Sequence, residues 1–155
     1  EGKLHRNFQG YTTHSDCDLI AMGVSSISQL ANTYSQNAYT IEAYEQSIDQ
    51  GQLSVIKGLE LSDDDLLRRS VINQIICHFE LNGDDFSRNF NIDFDTYFKD
   101  ELAFLQQHHR DGLIELTGNK LKVTPAGRLL VRAVCMAFDK YLDKKALTQS
   151  YSRII

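Results

Sequence analysis

The chain has 155 residues, with 16 Lys and Arg against 21 Asp and Glu, for a formal charge of −5. That length holds one domain, or a domain with an appendage, and the acidic balance argues against broad nucleic-acid binding, which needs a cationic surface to displace counterions. No apolar run approaches the ~20 residues of a membrane helix, and no signal-peptide pattern is visible.

The first residue is Glu rather than Met, and the sequence reads as an excised piece of a longer protein. Cys17, Cys77 and Cys135 are far apart and odd in number, unlike a disulfide framework or a local metal site. Cys77 and Cys135 sit in apolar helical patterns that bury an inert thiol, and a reducing cytoplasm suits this usage.

The chain opens on a dense polar and aromatic run, Arg6-Asn7-Phe8-Gln9-Gly10-Tyr11-Thr12-Thr13-His14-Ser15-Asp16, where a terminus ordinarily carries bland residues. Leu19 to Ile27 is short, apolar and rich in small residues, which predicts a buried strand, followed by irregular chain through Asn37. Thr40 is placed to cap a helix starting at Ile41, with Ile41, Tyr44 and Ile48 on one stripe and Gly51 at its end. Leu53 to Leu61 reads as an extended edge strand containing Gly58.

Ser62-Asp63-Asp64-Asp65 is a helix start, because the hydroxyl accepts a backbone N–H and carboxylates favour the positive end of the helix. The helix is predicted to run to about Phe79 with Leu66, Ile72, Ile75, Ile76 and Phe79 inward, and Leu81 to Asp85 breaks it. A short helix over Asp85 to Phe90 follows, then one from about Asp95 with Phe98, Leu102 and Leu105 on one face and Gly112 at its end. Ile114, Leu116, Leu121 and Val123 alternate with polar residues around Gly118-Asn119, a hairpin signature. Thr124-Pro125 then opens a last long helix with Leu129, Leu130, Ala133, Val134, Ala137, Phe138 and Tyr141 inward. The order helix, short helix, helix, hairpin, helix is that of a winged helix.

Such a fold raises the question of DNA, but Glu80 to Asp111 carries eight acids against three bases, a surface that repels phosphates. His108-His109 cannot readily share one ion, since adjacent helix positions diverge by about 100°, and the pair reads as a solvated helix end. His14-x-x-Cys17 lacks the second pair a zinc site needs, and helix capping accounts for Asp63-Asp64-Asp65. No metal site is expected. The chemistry concentrates in Arg6 to Thr13 and the segment ending near Ile27.

Arg6-Asn7-Phe8-Gln9-Gly10-Tyr11-Thr12, Asp18-Leu19-Ile20 and Met22-Gly23-Val24-Ser25-Ser26-Ile27-Ser28 carry a family resemblance. It continues through Gly127-Arg128-Leu129-Leu130-Val131-Arg132, Cys135-Met136, Phe138-Asp139 and the closing Tyr151 to Ile154. Together they resemble the C-terminal third of oxygen-independent coproporphyrinogen III oxidase, a radical S-adenosylmethionine enzyme of haem biosynthesis. The resemblance implies an α+β, mainly helical chain. Residues 1–60 would be the last segments of a partial (β/α) barrel, and residues 61–155 a winged-helix-like C-terminal domain.

It also implies the oxidative decarboxylation of two propionates of coproporphyrinogen III to vinyls, giving protoporphyrinogen IX. That chemistry uses a [4Fe-4S] cluster held by Cys-x-x-x-Cys-x-x-Cys and two S-adenosylmethionines in the intact enzyme. This chain lacks the cluster motif, so no cofactor and no activity are expected of it alone. By motif match, Phe8, Gln9 and Ile27 would contact the second S-adenosylmethionine. Apart from the motif, the guanidinium of Arg6 is suited to pair in bidentate fashion with a substrate carboxylate. The porphyrinogen would be met through the missing barrel, with no nucleic-acid or membrane partner. Strands deprived of their sheet neighbours are expected to bend away or to self-associate in a non-native way. A related haem-binding chaperone and a winged-helix interaction module are the alternative readings. The Arg6 to Thr12 wording speaks against the chaperone.

Overall fold

The computed structural model describes residues 2–15 and 17–142, so Asp16 and the closing Tyr151 to Ile154 motif lie outside the described residues. Helices and strands are mixed, and the chain divides into two compact units, Glu1–Leu66 and Leu67–Ile155.

In the first unit, β1 (His5–Asn7) and β2 (Gly10–Thr12) form a two-stranded hairpin. Its turn is closed by Asn7, whose Oδ1 accepts the backbone N–H groups of Gln9 (2.9 Å) and Gly10 (3.2 Å). An Asn side chain used this way imitates a backbone turn. Strands β3 (Ile27–Leu30), β4 (Thr33–Asn37) and β5 (Val55–Glu60) form an antiparallel sheet in that order. Helix α1 (Ile41–Asp49) connects β4 to β5, and the Thr40 hydroxyl accepts the Ala43 N–H at 3.3 Å, as the cap signal predicts. The bond from the Gly51 N–H to Ile48 O ends the helix, with Gly51 at φ +69°.

Three expectations change here. Leu19 to Ile27 is not one buried strand: Leu19 bridges to Gln29 and Ile27 opens β3, while Ile20 and Met22 between them are exposed. Gly23 and Ser25 have φ of +106° and +59°, which a strand cannot accommodate. The chain to Asn37 is not irregular but forms the β3–β4 hairpin, turning at Ala31 in the left-handed region (φ +49°). The α1 stripe is uncovered at Ile41 and Ile48 among the described residues, and Tyr44 is half-buried. Strand β5 does lie at a sheet edge, as its sequence predicts, and all six of its residues are exposed.

Helix α2 (Asp63–His78) starts with a reciprocal cap. Asp65 N–H donates to Ser62 Oγ (3.3 Å) and Ser62 N–H donates to Asp65 Oδ2 (2.9 Å). Its buried stripe is Leu67, Val71 and Ile75 with Ile76 and Cys77, one position round from the predicted face at Leu66 and Ile72. In the second unit, β6 (Glu80–Asn82) pairs with β8 (Lys120–Val123), which pairs with β7 (Ile114–Thr117).

Asn82 caps α3 (Gly83–Phe90), and Asn91 ends it in the left-handed region. Asp93 caps α4 (Phe94–Tyr97), and bonds from the Thr96 hydroxyl and backbone N–H hold its carboxyl below the ordinary value. Helix α5 (Lys99–Arg110) follows, burying Glu101 and Leu105. The core joins Phe94, Phe98 and Phe138, whose neighbouring ring centroids lie 4.7 and 5.3 Å apart. Each such side chain contributes about 1.5–3 kcal/mol on burial.

The predicted last long helix is broken. A 3₁₀ turn (Gly127–Leu130), helix α6 (Val131–Cys135) and a second 3₁₀ turn (Met136–Phe138) replace it, and Leu129, Leu130 and Tyr141 are exposed rather than inward. Gly127 opens the first of these turns in close contact with the Leu113 backbone. A Cβ there would sit 1.9 Å from the Leu113 carbonyl oxygen, so only a glycine lets the turn seat against that backbone. The His pair is not simply a solvated helix end. His108 packs against Phe104, with ring centroids 5.3 Å apart, and burial lowers its pKa.

Candidate functional site

The first unit holds a cavity of about 370 Å³ on one face of the three-stranded sheet, lined by Phe8, Ile27, Tyr34, Gln36, Lys57 and Leu59 with the backbone-rich Ser35–Gly58 pair. Register puts these side chains together. Ile27 lies opposite Gln36 and Gln36 opposite Lys57, while Tyr34 lies opposite Leu59. Residues directly opposed across strands point to the same face, as do positions two apart along a strand. Two adjacent rows thus supply Ile27, Gln36 and Lys57, then Tyr34 and Leu59.

Phe8 reaches this face from the β1–β2 turn. Its ring meets Tyr34 edge-on, with centroids 5.0 Å apart and planes at 89°, an arrangement aromatic quadrupoles favour. Gln36 is committed at both ends of its amide: Nε2 donates to Ser25 O (3.0 Å) and Oε1 accepts the Tyr39 hydroxyl (3.3 Å). The Lys57 ammonium lies 5.8 Å from the centre of the Tyr39 ring. Lys57 is the one charged residue lining the cavity, and among the described residues no carboxylate comes within 4.0 Å of its ammonium.

Of the residues singled out from sequence, Phe8 and Ile27 therefore meet in one cavity. Gln9 is in the β1–β2 turn, exposed, and does not line it. Arg6 lies in β1 with its guanidinium 5.7 Å from the Tyr11 ring centre, also outside the lining. Tyr34, Gln36, Lys57 and Leu59 were not anticipated. The alternation of Tyr34 with Gln36 and of Lys57 with Leu59 is the signal that would have placed them on one face.

The region is apolar with a single cation, which suits a ligand having an apolar body. It offers no nucleophile paired with a base. No group of three or more His, Cys, Asp or Glu side chains is arranged to hold a metal ion among the described residues. The three cysteines are unbonded to one another, with Cys17 exposed and the other two buried. An iron–sulfur cluster does not fit this cysteine set, whereas an apolar ligand fits the cavity. No helix of the described residues is long and apolar enough to cross a membrane.

The HemN C-terminal domain family matches residues 61–130. The whole chain is 49% identical to the oxygen-independent coproporphyrinogen III oxidase of Pseudomonas aeruginosa and 43% identical to that of Escherichia coli, covering 34% of each. The Synechocystis enzyme of the same name is 42% identical over 99% of the chain. A solved structure titled coproporphyrinogen III oxidase (HemN) from Escherichia coli, a radical SAM enzyme, superposes with a TM-score of 0.85 at 42% identity, over 91% of this chain and 32% of that one. The chain thus spans about a third of the length of the relatives it matches and is similar to their C-terminal part.

Proposed function

We propose, from a chain that carries a HemN C-terminal domain, that it works as the C-terminal third of an oxygen-independent coproporphyrinogen III oxidase. The intact enzyme would convert two propionates of coproporphyrinogen III to vinyls by radical chemistry, using S-adenosylmethionine and a cluster held outside this chain. When bound, that cofactor pair supplies the radical that starts the reaction. This chain's part is to line the second S-adenosylmethionine site and to close the cavity around the substrate. Alone, in the cytoplasm or in a tube, it would be inactive.

In this reading residues 1–60 complete a partial (β/α) barrel, and residues 61–155 form a winged-helix-like domain that serves packing rather than DNA. The order α2, α3, α5 and the β7–β8 hairpin supports the latter. The observation carrying the proposal is that Phe8 and Ile27 converge on one apolar cavity. Phe8 would form the wall against which a flat ligand stacks, Ile27 its apolar floor, and Arg6 and Gln9 would meet polar parts of ligands from its margin.

A chimera tests the assignment. The chain replaces the matching third of the Pseudomonas aeruginosa enzyme, and vinyl product is measured anaerobically. The chimera is expected to turn over, and Phe8→Ala within it to raise the S-adenosylmethionine requirement by about 2- to 10-fold, the worth of one aromatic contact. A folded, cluster-loaded chimera with no product would reject the proposal.

A further inference from the structure

We infer that Lys57 is the anion-recognising residue of the Phe8–Ile27–Tyr34 cavity, and that the ligand it selects presents a carboxylate on an apolar, flat body. The inference rests on the reading of this cavity as a ligand site and goes beyond it by naming the group that fixes orientation. Lys57 lies in β5, directly opposite Gln36, so its stem rises from the same sheet face as Ile27 and Gln36. The stem covers apolar surface while the ammonium stands at the edge, the usual habit of lysine.

Among the described residues no carboxylate pairs with that charge, and the cavity lining has none. Its contact is with the face of Tyr39, which steadies a cation without cancelling its charge. Tyr39 is in turn tied through its hydroxyl to Gln36, and Gln36 to Ser25, so the lysine leans on a fixed wall. The Gln36 amide already bonds Ser25 and Tyr39, and Lys57 is the cation left in the lining to face a ligand. An uncompensated cation beside an apolar cavity is a recognition element for an anion whose remainder is apolar.

Two molecules in the proposed reaction carry a carboxylate and a flat ring system: a cofactor whose α-carboxylate ends a chain joined to its adenine through the ribose, and a tetrapyrrole with propionates. The test uses the 155-residue chain, with binding followed by NMR titration so that weak affinities register. The probes are S-adenosylhomocysteine, methylthioadenosine (the same nucleoside without the carboxylate) and coproporphyrin III. Lys57→Met is expected to weaken one carboxylate probe by about 3- to 10-fold and to leave methylthioadenosine unchanged. Lys57→Arg should restore binding. The probe that responds identifies the source of the carboxylate.

Circular dichroism confirms that each variant is folded, as an exposed strand residue permits. If Phe8→Ala weakens binding but Lys57→Met weakens neither carboxylate probe, the inference about Lys57 is overturned and the cavity reading stands. If the wild-type chain binds no probe, or Phe8→Ala changes nothing, the cavity reading falls and the inference with it.

Discussion

Replacing Gly127 with Ala sets two ordinary expectations against each other. Alanine in place of glycine in a helical turn normally stabilises by about 0.5–1 kcal/mol, because the unfolded chain loses freedom. Here the added Cβ would meet the Leu113 carbonyl oxygen at 1.9 Å and its carbon at 2.8 Å. An ordinary carbon–oxygen contact is about 3.3 Å, so the turn or the carbonyl must move by more than an ångström. That carbonyl also accepts the Thr124 N–H at 3.0 Å and the Thr124 hydroxyl at 3.1 Å. Overpacking costs about 1–3 kcal/mol and each lost hydrogen bond about 1 kcal/mol, so Gly127→Ala should destabilise by roughly 3–5 kcal/mol.

Urea unfolding followed by circular dichroism at the helical minimum measures this directly. Gly112→Ala is the internal comparison. Gly112 has φ +72° and open space around its Cβ position, so only backbone strain of about 1–2 kcal/mol applies. A Gly127→Ala protein as stable as wild type, or less affected than Gly112→Ala, would show that the seat on Leu113 does not require a glycine.

Three further outcomes follow from the same structure. Glu101→Gln removes the carboxylate that Arg68 Nη1 meets at 2.7 Å in a largely buried pair, and should cost about 3 kcal/mol in thermal unfolding; a double substitution of both residues with Met should recover much of that loss. His108 has a pKa lowered chiefly by burial, so the folded state binds the proton less readily than the unfolded one. Its contribution is present above the unfolded value of about 6.5 and is lost as pH falls through and below it; His108→Gln should flatten the slope of stability against pH in that window. Gly83→Ala places a Cβ 2.7 Å from Phe94 Cδ1 and from Asn119 Cβ, and should destabilise by about 1–3 kcal/mol in the same urea assay, with Asn119→Ala partly relieving it.

Where local chemistry decides structure, the sequence was readable. Thr40, Ser62 with Asp65, and Gly51 fall at the helix ends their side chains or conformations dictate, and Gly118-Asn119 lies in the β7–β8 turn. Where partners distant in sequence decide, it was not. Leu19 to Ile27 has a strand's composition, but Gly23 and Ser25 take left-handed conformations held by groups from β4 and α1. Residues 28–36 look irregular because their polar side chains face a cavity and solvent instead of a core. The break in the C-terminal helical segment is invisible in its periodicity, as is the seat of Gly127 on Leu113 at its start. Phe8 and Ile27 stand out through the wording of their motifs and line one cavity, whereas the place of Lys57 in that lining depends on the β4–β5 register that sets it opposite Gln36.

The segment from Asp18 to Ser26 is shaped from outside itself. Asp18 Oδ1 accepts the Ala31 N–H at 2.8 Å, Ser28 Oγ accepts the Ala21 N–H at 3.0 Å, and the Tyr44 hydroxyl accepts the Gly23 N–H at 3.0 Å. Asn37 Nδ2 donates to Gly23 O at 3.1 Å and to Ser26 Oγ at 3.0 Å. The instructions for this segment are therefore written largely in residues 28–44, while Ile20 and Met22 project into solvent. A library randomised at Ile20 and Met22 should return mostly protease-resistant clones, and one randomised at Asn37 and Tyr44 should return few. The loop is an inheritance of its surroundings, free to vary in wording while the hairpin and α1 keep its form.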